Sequence, residues 1–220
     1  MRSLTVRSVS RQTEHLYHVQ MAEIVPEFKH PGQYAIVVDS VTDKEKKAYY
    51  AFSSLPGEPV SFLLKDDGAA SALCHAQPGY TVELLSVEGA GFQTGDVTGP
   101  MLLFSMGSGL GPFRSLIRSV LSSPDQNPDL ELELWHGAFT EADLPYRDEI
   151  EAWQKQGLRF VGCYDREGLM QNAVQRLQQA APDLSDATVF WVGSRDFGES
   201  LQKTTLALGL RPERFRSNFG

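Results

Sequence analysis

The first ninety residues contain short runs in which apolar and polar positions alternate. Turn residues separate the runs, as at Pro31-Gly32, Pro56-Gly57 and Pro78-Gly79. A period of two is typical of strands with one buried face, and this spacing of short strands predicts an antiparallel sandwich or barrel. We expect the strands at Leu4–Val9, His15–Ile24, Gln33–Val38, Tyr49–Ser54, Val60–Lys65 and Thr81–Val87, with one short helix at Ala69–Ala76.

The pattern changes near Asp96–Pro100. Met101–Met106 is a continuous apolar run, typical of a strand buried on both faces, and Phe113–Leu121 has the apolar spacing of a helix. Strands and helices then alternate, which predicts a parallel sheet with crossover helices. The strands are expected at Leu130–His136, Arg159–Tyr164 and Val189–Val192, and the helices at Arg147–Gln156, Met170–Ala180 and Gly198–Leu208. The sequence therefore predicts two domains, 1–96 and 97–220.

Composition narrows the classes of function. The chain has 220 residues, 41% of them hydrophobic, a net charge of −8 and a pI near 5.1. Such an acidic balance disfavours nucleic acid and anionic membrane surfaces as partners. Cys74 and Cys163 have no C-x-x-C spacing, so no metal site is expected, and two lone cysteines suit a reducing compartment. The chain has no apolar run of roughly 18 residues, and Met1–Val9 carries two arginines but no apolar region of the kind found in secretory signals. We therefore expect a cytoplasmic protein without a membrane span or secretory signal.

A glycine-rich loop joins the first predicted parallel strand to its helix. It comprises Gly107, Ser108, Gly109, Leu110, Gly111 and Pro112. Glycines let the backbone approach a ligand, a helix N-terminus offers free N–H groups to a pyrophosphate, and Pro112 suits a first helical turn. Parallel sheets bind ligands at the carboxyl ends of their strands. The loop is therefore either a dinucleotide site or an ordinary tight strand–helix turn.

Several further motifs occur in a fixed order along nearly the whole chain. They are Pro31-Gly32-Gln33-Tyr34, Tyr50-Ala51-Phe52-Ser53-Ser54, Gly68-Ala69-Ala70-Ser71-Ala72-Leu73, Gly89-Ala90-Gly91-Phe92, the Gly107–Pro112 loop, His136-Gly137-Ala138, Asp143 to Glu149, Val192-Gly193-Ser194 and Asn218-Phe219. In this order and spacing the chain resembles the ferredoxin–NADP⁺ reductase superfamily, and more narrowly the FAD/NAD(P)-binding oxidoreductases of bacteria and plastids. The resemblance implies a six-stranded antiparallel flavin-binding β-barrel, followed by a parallel-sheet α/β domain that binds NADH or NADPH.

On the flavin side, the resemblance implies that FAD contacts two short segments. These contain Tyr50, Phe52, Ser53 and Ser54, and then Gly68, Ala69, Ala70 and Ser71. The family motif R-x-Y-[ST]-x-x-S has its arginine at the place of Ala48, which has no charge to pair with a phosphate. Lys46 or Lys47 is a candidate point charge in its stead. The alternative is that Tyr50 and Phe52 are ordinary barrel core.

On the nicotinamide side, the resemblance implies contacts from the glycine-rich loop and from several later positions. The later positions are Gly137, Ala138, Tyr146, Gly193 and Ser194. Val192 stands where relatives often have a cysteine. No protein acid or base is required for hydride transfer, so the only catalytic candidate is Phe219, either a cover for the flavin ring or a terminal apolar anchor.

The leading functional hypothesis is an FAD-dependent oxidoreductase that takes hydride from NAD(P)H and passes electrons to an unidentified acceptor. The alternatives are an electron-transfer subunit that docks to an acceptor protein, or a degenerate nucleotide-binding module without turnover. We expect less than about tenfold preference for NADPH, because Phe139 stands where many relatives place an arginine and Glu141 and Asp143 oppose Arg147. His136 is expected either at the dinucleotide cleft or in the core, and Cys74 in the core.

Overall fold

A computed structural model of the chain describes residues 2–39, 46–123, 130–165 and 172–218. These residues form two compact units. Unit 1 contains the described residues of 2–91 together with Gly111–Ser119. Unit 2 contains Phe92–Leu110 and the described residues from Val120 to Asn218.

Unit 1 is a six-stranded antiparallel sheet in the order β4-β3-β6-β1-β2-β5. An isolated bridge between Phe52 and Phe62, with Ser53 N–H donating to the Ser61 carbonyl at 2.8 Å, joins the two edges of the sheet, so that the strands form a barrel. The strands are β1 (Arg2–Arg11), β2 (Leu16–Ile24), β3 (Tyr34–Val38), β4 (Lys47–Ala51), β5 (Pro59–Lys65) and β6 (Thr81–Glu88).

The barrel core contains the inward positions that the alternation predicts. Leu4 and Val6 of β1, and Val19 and Met21 of β2, are all 1% exposed or less. A 3₁₀ turn at Gly68–Ala70 and the short helix α1 (Ser71–Cys74) follow β5. The helix expected at Ala69–Ala76 is therefore shorter than predicted, and its last residue, Cys74, is buried in the barrel core as expected.

Unit 2 is a five-stranded parallel sheet in the order β11-β10-β7-β8-β9. Its strands are β7 (Met101–Met106), β8 (Leu132–Ala138), β9 (Arg159–Tyr164), β10 (Thr188–Val192) and β11 (Phe215–Ser217). The helices of the C-terminal part of the chain are α2 (Leu110–Leu121), α3 (Arg147–Gln154), α4 (Ala173–Ala180) and α5 (Arg195–Ala207). The predicted fold class, an antiparallel barrel followed by a parallel α/β sheet, is confirmed.

The edge strand β11 is an element that the sequence did not predict. It pairs in parallel with β10 from Val189–Phe215 to Trp191–Ser217. The Arg216 guanidinium makes two hydrogen bonds to the Asp96 carboxylate, at 2.7 and 2.6 Å, and a third to the Gln93 carbonyl. The pKa of Asp96 is lowered to about 2, mainly by the hydrogen bond from Arg216. These contacts attach β11 to the segment that precedes β7.

Candidate functional site

A cavity of about 190 Å³ lies beside strand β4 in unit 1. Side chains alternate across a strand, so Lys46, Ala48 and Tyr50 point toward the cavity, whereas Lys47 and Tyr49 do not line it. The lining residues come from β3, the start of β4, the 3₁₀ turn, α1 and β6. They are Val37, Asp39, Lys46, Ala48, Tyr50, Gly68, Ala69, Leu73 and Val82.

The polar groups of this cavity are held by specific contacts. The Tyr80 hydroxyl donates to the Asp39 carboxylate at 2.6 Å. Burial and this hydrogen bond raise the pKa of Tyr80 to about 12. The pKa of Tyr50 is also raised to about 12, by burial first and then by Cys74 and Asp39. Both phenols therefore keep their protons at neutral pH, and both remain hydrogen-bond donors.

The cavity brings together only some of the predicted flavin residues. Tyr50, Gly68 and Ala69 line it. Gly68 has φ +51°, and a Cβ there would meet no atom within 4 Å, so its backbone is open on that side. Ala70 is buried beside the turn, and the Ser71 hydroxyl donates to Asp66 and lowers the pKa of that carboxyl.

Phe52, Ser53 and Ser54 lie elsewhere in the barrel. Phe52 is fully buried, with its ring 4.2 Å from that of Phe28. The Ser53 hydroxyl is 2.9 Å from that of Ser61, and the Ser54 hydroxyl accepts from the Ser61 N–H at 3.2 Å. These contacts explain the three residues as barrel structure, and their role toward a flavin stays a prediction.

Sequence reasoning missed Asp39, Tyr80 and Val82 as neighbours of the cavity. Asp39 directly follows β3, and Val37 of β3 pairs with Ala48 of β4, so β-sheet register brings these positions together. No local motif marks them. The available signal was an aspartate at the end of an apolar run, next to the strand that carries Tyr50.

In unit 2, the first residues of the glycine-rich loop, Gly107 to Leu110, lie at the carboxyl end of the central strand β7. The next strand along the chain, β8, is on one side of β7, and β10 is on the other. The strand order thus reverses at β7, and open α/β sheets bind ligands at such a point. Gly107 has φ +53° with open space around it, whereas a Cβ on Gly109 would lie 2.9 Å from the Val192 carbonyl oxygen.

The structure also brings Gly137 and Gly193 to this edge of the sheet. A Cβ built on Gly137 would lie 3.5 Å from Met106 Cβ, and one built on Gly193 would lie 3.3 Å from Met106 Cγ. The predicted positions therefore flank the end of β7 from both neighbouring strands. Ser194 lies beside them, and its hydroxyl accepts from the Phe197 N–H at 3.3 Å as the N-cap of α5.

The segment after β8 carries Ala138 and Tyr146 of the predicted set. Tyr146 is buried and adopts a left-handed conformation, with φ 56° and ψ 33°, at the N-cap of α3. Such a conformation is uncommon for a residue other than glycine. Arg147 donates to the Glu141 carboxylate at 3.0 Å and to the Glu141 carbonyl at 2.6 Å. Phe139 is 51% exposed.

His136 belongs to the core of the sheet. It is fully buried, and its Nδ1 lies 2.8 Å from the Ser105 hydroxyl. Its Nε2 has no hydrogen-bond partner. Burial lowers its pKa to about 3, so the ring is neutral at physiological pH. His136 therefore lies in the core, which was one of the two expectations for it, but one of its ring nitrogens is left without a hydrogen bond.

Phe219, the candidate flavin cover, lies outside the described residues. Among the residues that the structure describes, no group of three or more His, Cys, Asp or Glu is arranged to hold a metal ion. Within the same residues, no helix is long and apolar enough to cross a membrane.

Comparisons with known proteins give the following relationships. Residues 103–203 match the family of the oxidoreductase NAD-binding domain. The chain is 25% identical over 199 residues to the toluate 1,2-dioxygenase electron transfer component of Pseudomonas putida. This alignment covers 84% of this chain and 56% of that protein. The chain is also 30% identical over 126 residues to ferredoxin–NADP reductase B of Sorangium cellulosum. That alignment covers 55% of this chain and 50% of that protein.

Solved structures show the same fold over the whole length. The flavohem-like FAD/NAD binding domain of the nitric oxide dioxygenase from Vibrio cholerae superposes with a TM-score of 0.82 at 18% identity. The superposition covers 98% of this chain and 97% of that domain. The chain spans about half the length of the curated relatives it matches.

Proposed function

We propose that the chain is an FAD-dependent oxidoreductase, because residues 103–203 match the oxidoreductase NAD-binding domain and the chain has the fold of a two-part FAD/NAD binding domain. It takes hydride from NADH or NADPH and passes electrons to an acceptor that the sequence does not identify. The observation that carries the proposal is the presence, in one chain, of a cavity with apolar and polar walls beside Tyr50 and Gly68 and of a glycine-rich loop at the strand-order reversal.

The cavity in unit 1 fits part of a flavin nucleotide. Val37, Leu73 and Val82 give it apolar walls, and Tyr50 adds an aromatic ring with a protonated hydroxyl. Ligand sites commonly combine apolar walls with a few polar groups that fix orientation. In the proposal, Tyr50, Gly68 and Ala69 hold FAD there. Phe52, Ser53, Ser54, Ala70 and Ser71 support the shape of the barrel around it.

The loop in unit 2 fits a dinucleotide. In the proposal, the loop Gly107–Pro112 receives the pyrophosphate through free backbone N–H groups at the start of α2. Pro112 has no N–H to donate and takes a place in the first helical turn, where none is needed. Gly137, Ala138, Gly193 and Ser194 border it, because they lie at the carboxyl ends of the two strands beside β7. Tyr146 orients the segment after β8. A bound flavin and nicotinamide supply the redox chemistry, and the protein sets their geometry.

A second candidate function is that of an electron-transfer component that works with a partner protein. The name of the relative from Pseudomonas putida, an electron transfer component of a dioxygenase, favours this form of the hypothesis. A degenerate module without turnover is favoured by Ala48 and Val192, which stand where relatives have an arginine and a cysteine.

The free, buried Cys74 and Cys163 suit a reducing compartment, so the proposal includes a cytoplasmic location.

Flavin binding tests this proposal directly. The purified protein, stripped of bound nucleotide and titrated with FAD, should quench flavin fluorescence with a saturating curve. Ala69→Phe fills the cavity and should abolish the quenching, while Ala72→Phe, in the same segment but outside the lining, should preserve it. Wild-type protein that is folded by circular dichroism yet binds no FAD would overturn the proposal.

A further inference from the structure

The cavity beside β4 carries a lysine at the position where strand geometry aims a side chain toward it. Lys46 immediately precedes β4, and Lys46, Ala48 and Tyr50 all line the cavity. Lys47 is the next residue, is also exposed, and does not line it. The two neighbouring lysines thus have the same charge, but their side chains lie on opposite sides of the strand.

Among the described residues that line the cavity, Asp39 and Lys46 carry charge. Asp39 accepts a hydrogen bond from the Tyr80 hydroxyl, which disperses part of its negative charge. An acceptor-only carboxylate suits the hydroxyl groups of a sugar, whereas an anionic phosphate requires a cation. Ala48 supplies none, so among the described residues that line the cavity the cation available to a phosphate is Lys46.

We propose that Lys46 is the residue that binds the diphosphate of FAD, and that it sets the preference of the cavity for phosphorylated flavins over riboflavin. The inference rests on the proposed flavin function. A lysine ammonium acts as a compact point charge without the fixed fork of a guanidinium. Binding of FAD is therefore expected to weaken with ionic strength, because the lysine is exposed and screened by salt.

The test compares FAD with riboflavin, which has the same ring system and no phosphate. Flavin fluorescence titrations are run with the full chain and with the variants Lys46→Ala, Lys46→Arg and Lys47→Ala. Lys46→Ala should raise the Kd of FAD about tenfold, or about 1.4 kcal/mol, and leave the Kd of riboflavin unchanged. Lys46→Arg should keep the affinity for FAD, and Lys47→Ala should match the wild type for both ligands.

Two results would overturn the assignment of Lys46 while leaving flavin binding intact. One is an unchanged Kd of FAD in Lys46→Ala, and the other is an equal loss of FAD and riboflavin affinity, which would indicate a change in cavity shape. If Lys47→Ala raised the Kd of FAD as much as Lys46→Ala does, this result would also contradict the assignment of Lys46, since Lys47 does not line the cavity. If the wild-type protein binds neither FAD nor riboflavin, the proposed function itself fails, and the inference fails with it.

Discussion

His136 is buried in the parallel sheet with a single hydrogen bond, to Ser105, and an unpartnered Nε2. Its pKa in the folded protein is lowered from 6.5 to about 3, because burial disfavours the charged ring. The unfolded chain binds a proton below pH 6.5, while the folded protein does not. Stability contributed by the neutral ring is therefore complete above pH 6.5 and is lost as pH falls toward 3.

From this shift, the wild-type protein should lose about 2 kcal/mol of unfolding free energy through His136 between pH 7 and pH 5. His136→Gln retains a polar partner for Ser105 but cannot titrate. Urea denaturation of both proteins at the two pH values isolates the effect, because other groups contribute equally to each. A wild-type loss no larger than that of the variant would show that the ring is protonated in the folded state.

Arg147 bears on the choice between NADH and NADPH. It is the basic residue nearest to the end of β8 in sequence, and it donates to both the carboxylate and the carbonyl of Glu141. The Glu141 carboxylate beside the guanidinium offsets part of its positive charge and so weakens its attraction for the 2′-phosphate of NADPH. Arg147→Ala should therefore change the ratio of NADPH to NADH reduction rates by less than about threefold.

Stopped-flow reduction of the bound flavin by each nucleotide measures this ratio, with Arg195→Ala as a control at an exposed site on α5. We expect less than about tenfold preference for NADPH in the wild type. A preference of about a hundredfold that disappears in Arg147→Ala would show that Arg147 leaves Glu141 to bind the phosphate.

At the scale of elements, helix α2 contains residues of the glycine-rich loop and also residues that contact the barrel. Its first three residues, Leu110 to Pro112, are the end of the glycine-rich loop, and Gly111–Ser119 belongs to unit 1. Arg114 donates to the Ser53 carbonyl at 2.8 Å. Arg118 makes a two-point ion pair with Glu58, both contacts at 2.8 Å, which lowers the pKa of Glu58.

The Glu58–Arg118 pair is partly buried, and Arg118→Gln should lower the unfolding free energy by about 1 kcal/mol. The comparison is Glu199→Gln in the pair Arg195–Glu199, whose side chains are 89% and 62% exposed. This second change should cost less than about 0.5 kcal/mol. Equal effects of the two substitutions in chemical denaturation would mean that the geometry of the Glu58 pair adds no stability.

Helix α5 contains a glycine, Gly198, at a position where the helix packs too closely against the sheet for a larger residue. A Cβ on Gly198 would overlap Trp191 Cη2, and the Trp191 ring is stacked on that of Phe215, with 6.0 Å between the ring centroids. Gly198→Ala should therefore destabilise the protein by about 1–3 kcal/mol, although alanine favours helices.

Ser200→Ala, on the exposed side of α5, serves as the control for helix propensity. It should change the unfolding free energy by less than about 0.5 kcal/mol. Thermal or urea unfolding of the two variants provides the comparison. A stabilised Gly198→Ala protein would show that Trp191 moves aside at little cost.

At the scale of the whole molecule, periodicity was sufficient to predict both sheets. Period-two runs gave the barrel strands, and the buried run Met101–Met106 gave the central parallel strand. The start of α5 was predicted at Gly198 instead of Arg195, although Ser194 is an N-cap residue of the expected type. The three-residue strand β11 carries too short a pattern to be recognised, because its pairing with β10 depends on tertiary contacts.

The candidate site was predictable where backbone conformation demands a residue type. Gly68 and Gly107 have positive φ, and Gly109 passes close to Val192, so these glycines are visible in the sequence. Asp39 and Tyr80 were not predictable, since their contact joins residues 41 positions apart through the barrel register. Motifs thus mark the backbone of a site, and the charged side chains around it depend on the fold.

The central claim, that one chain holds a flavin and passes hydride to it from a nicotinamide, has one direct test. Protein loaded with FAD is mixed anaerobically with NADH, and the visible absorbance of the oxidised flavin is followed with time. We expect the absorbance of the oxidised flavin to disappear completely. The rate should saturate with NADH concentration, because the nucleotide binds before it reacts. A flavin that stays oxidised in the presence of both NADH and NADPH would contradict it.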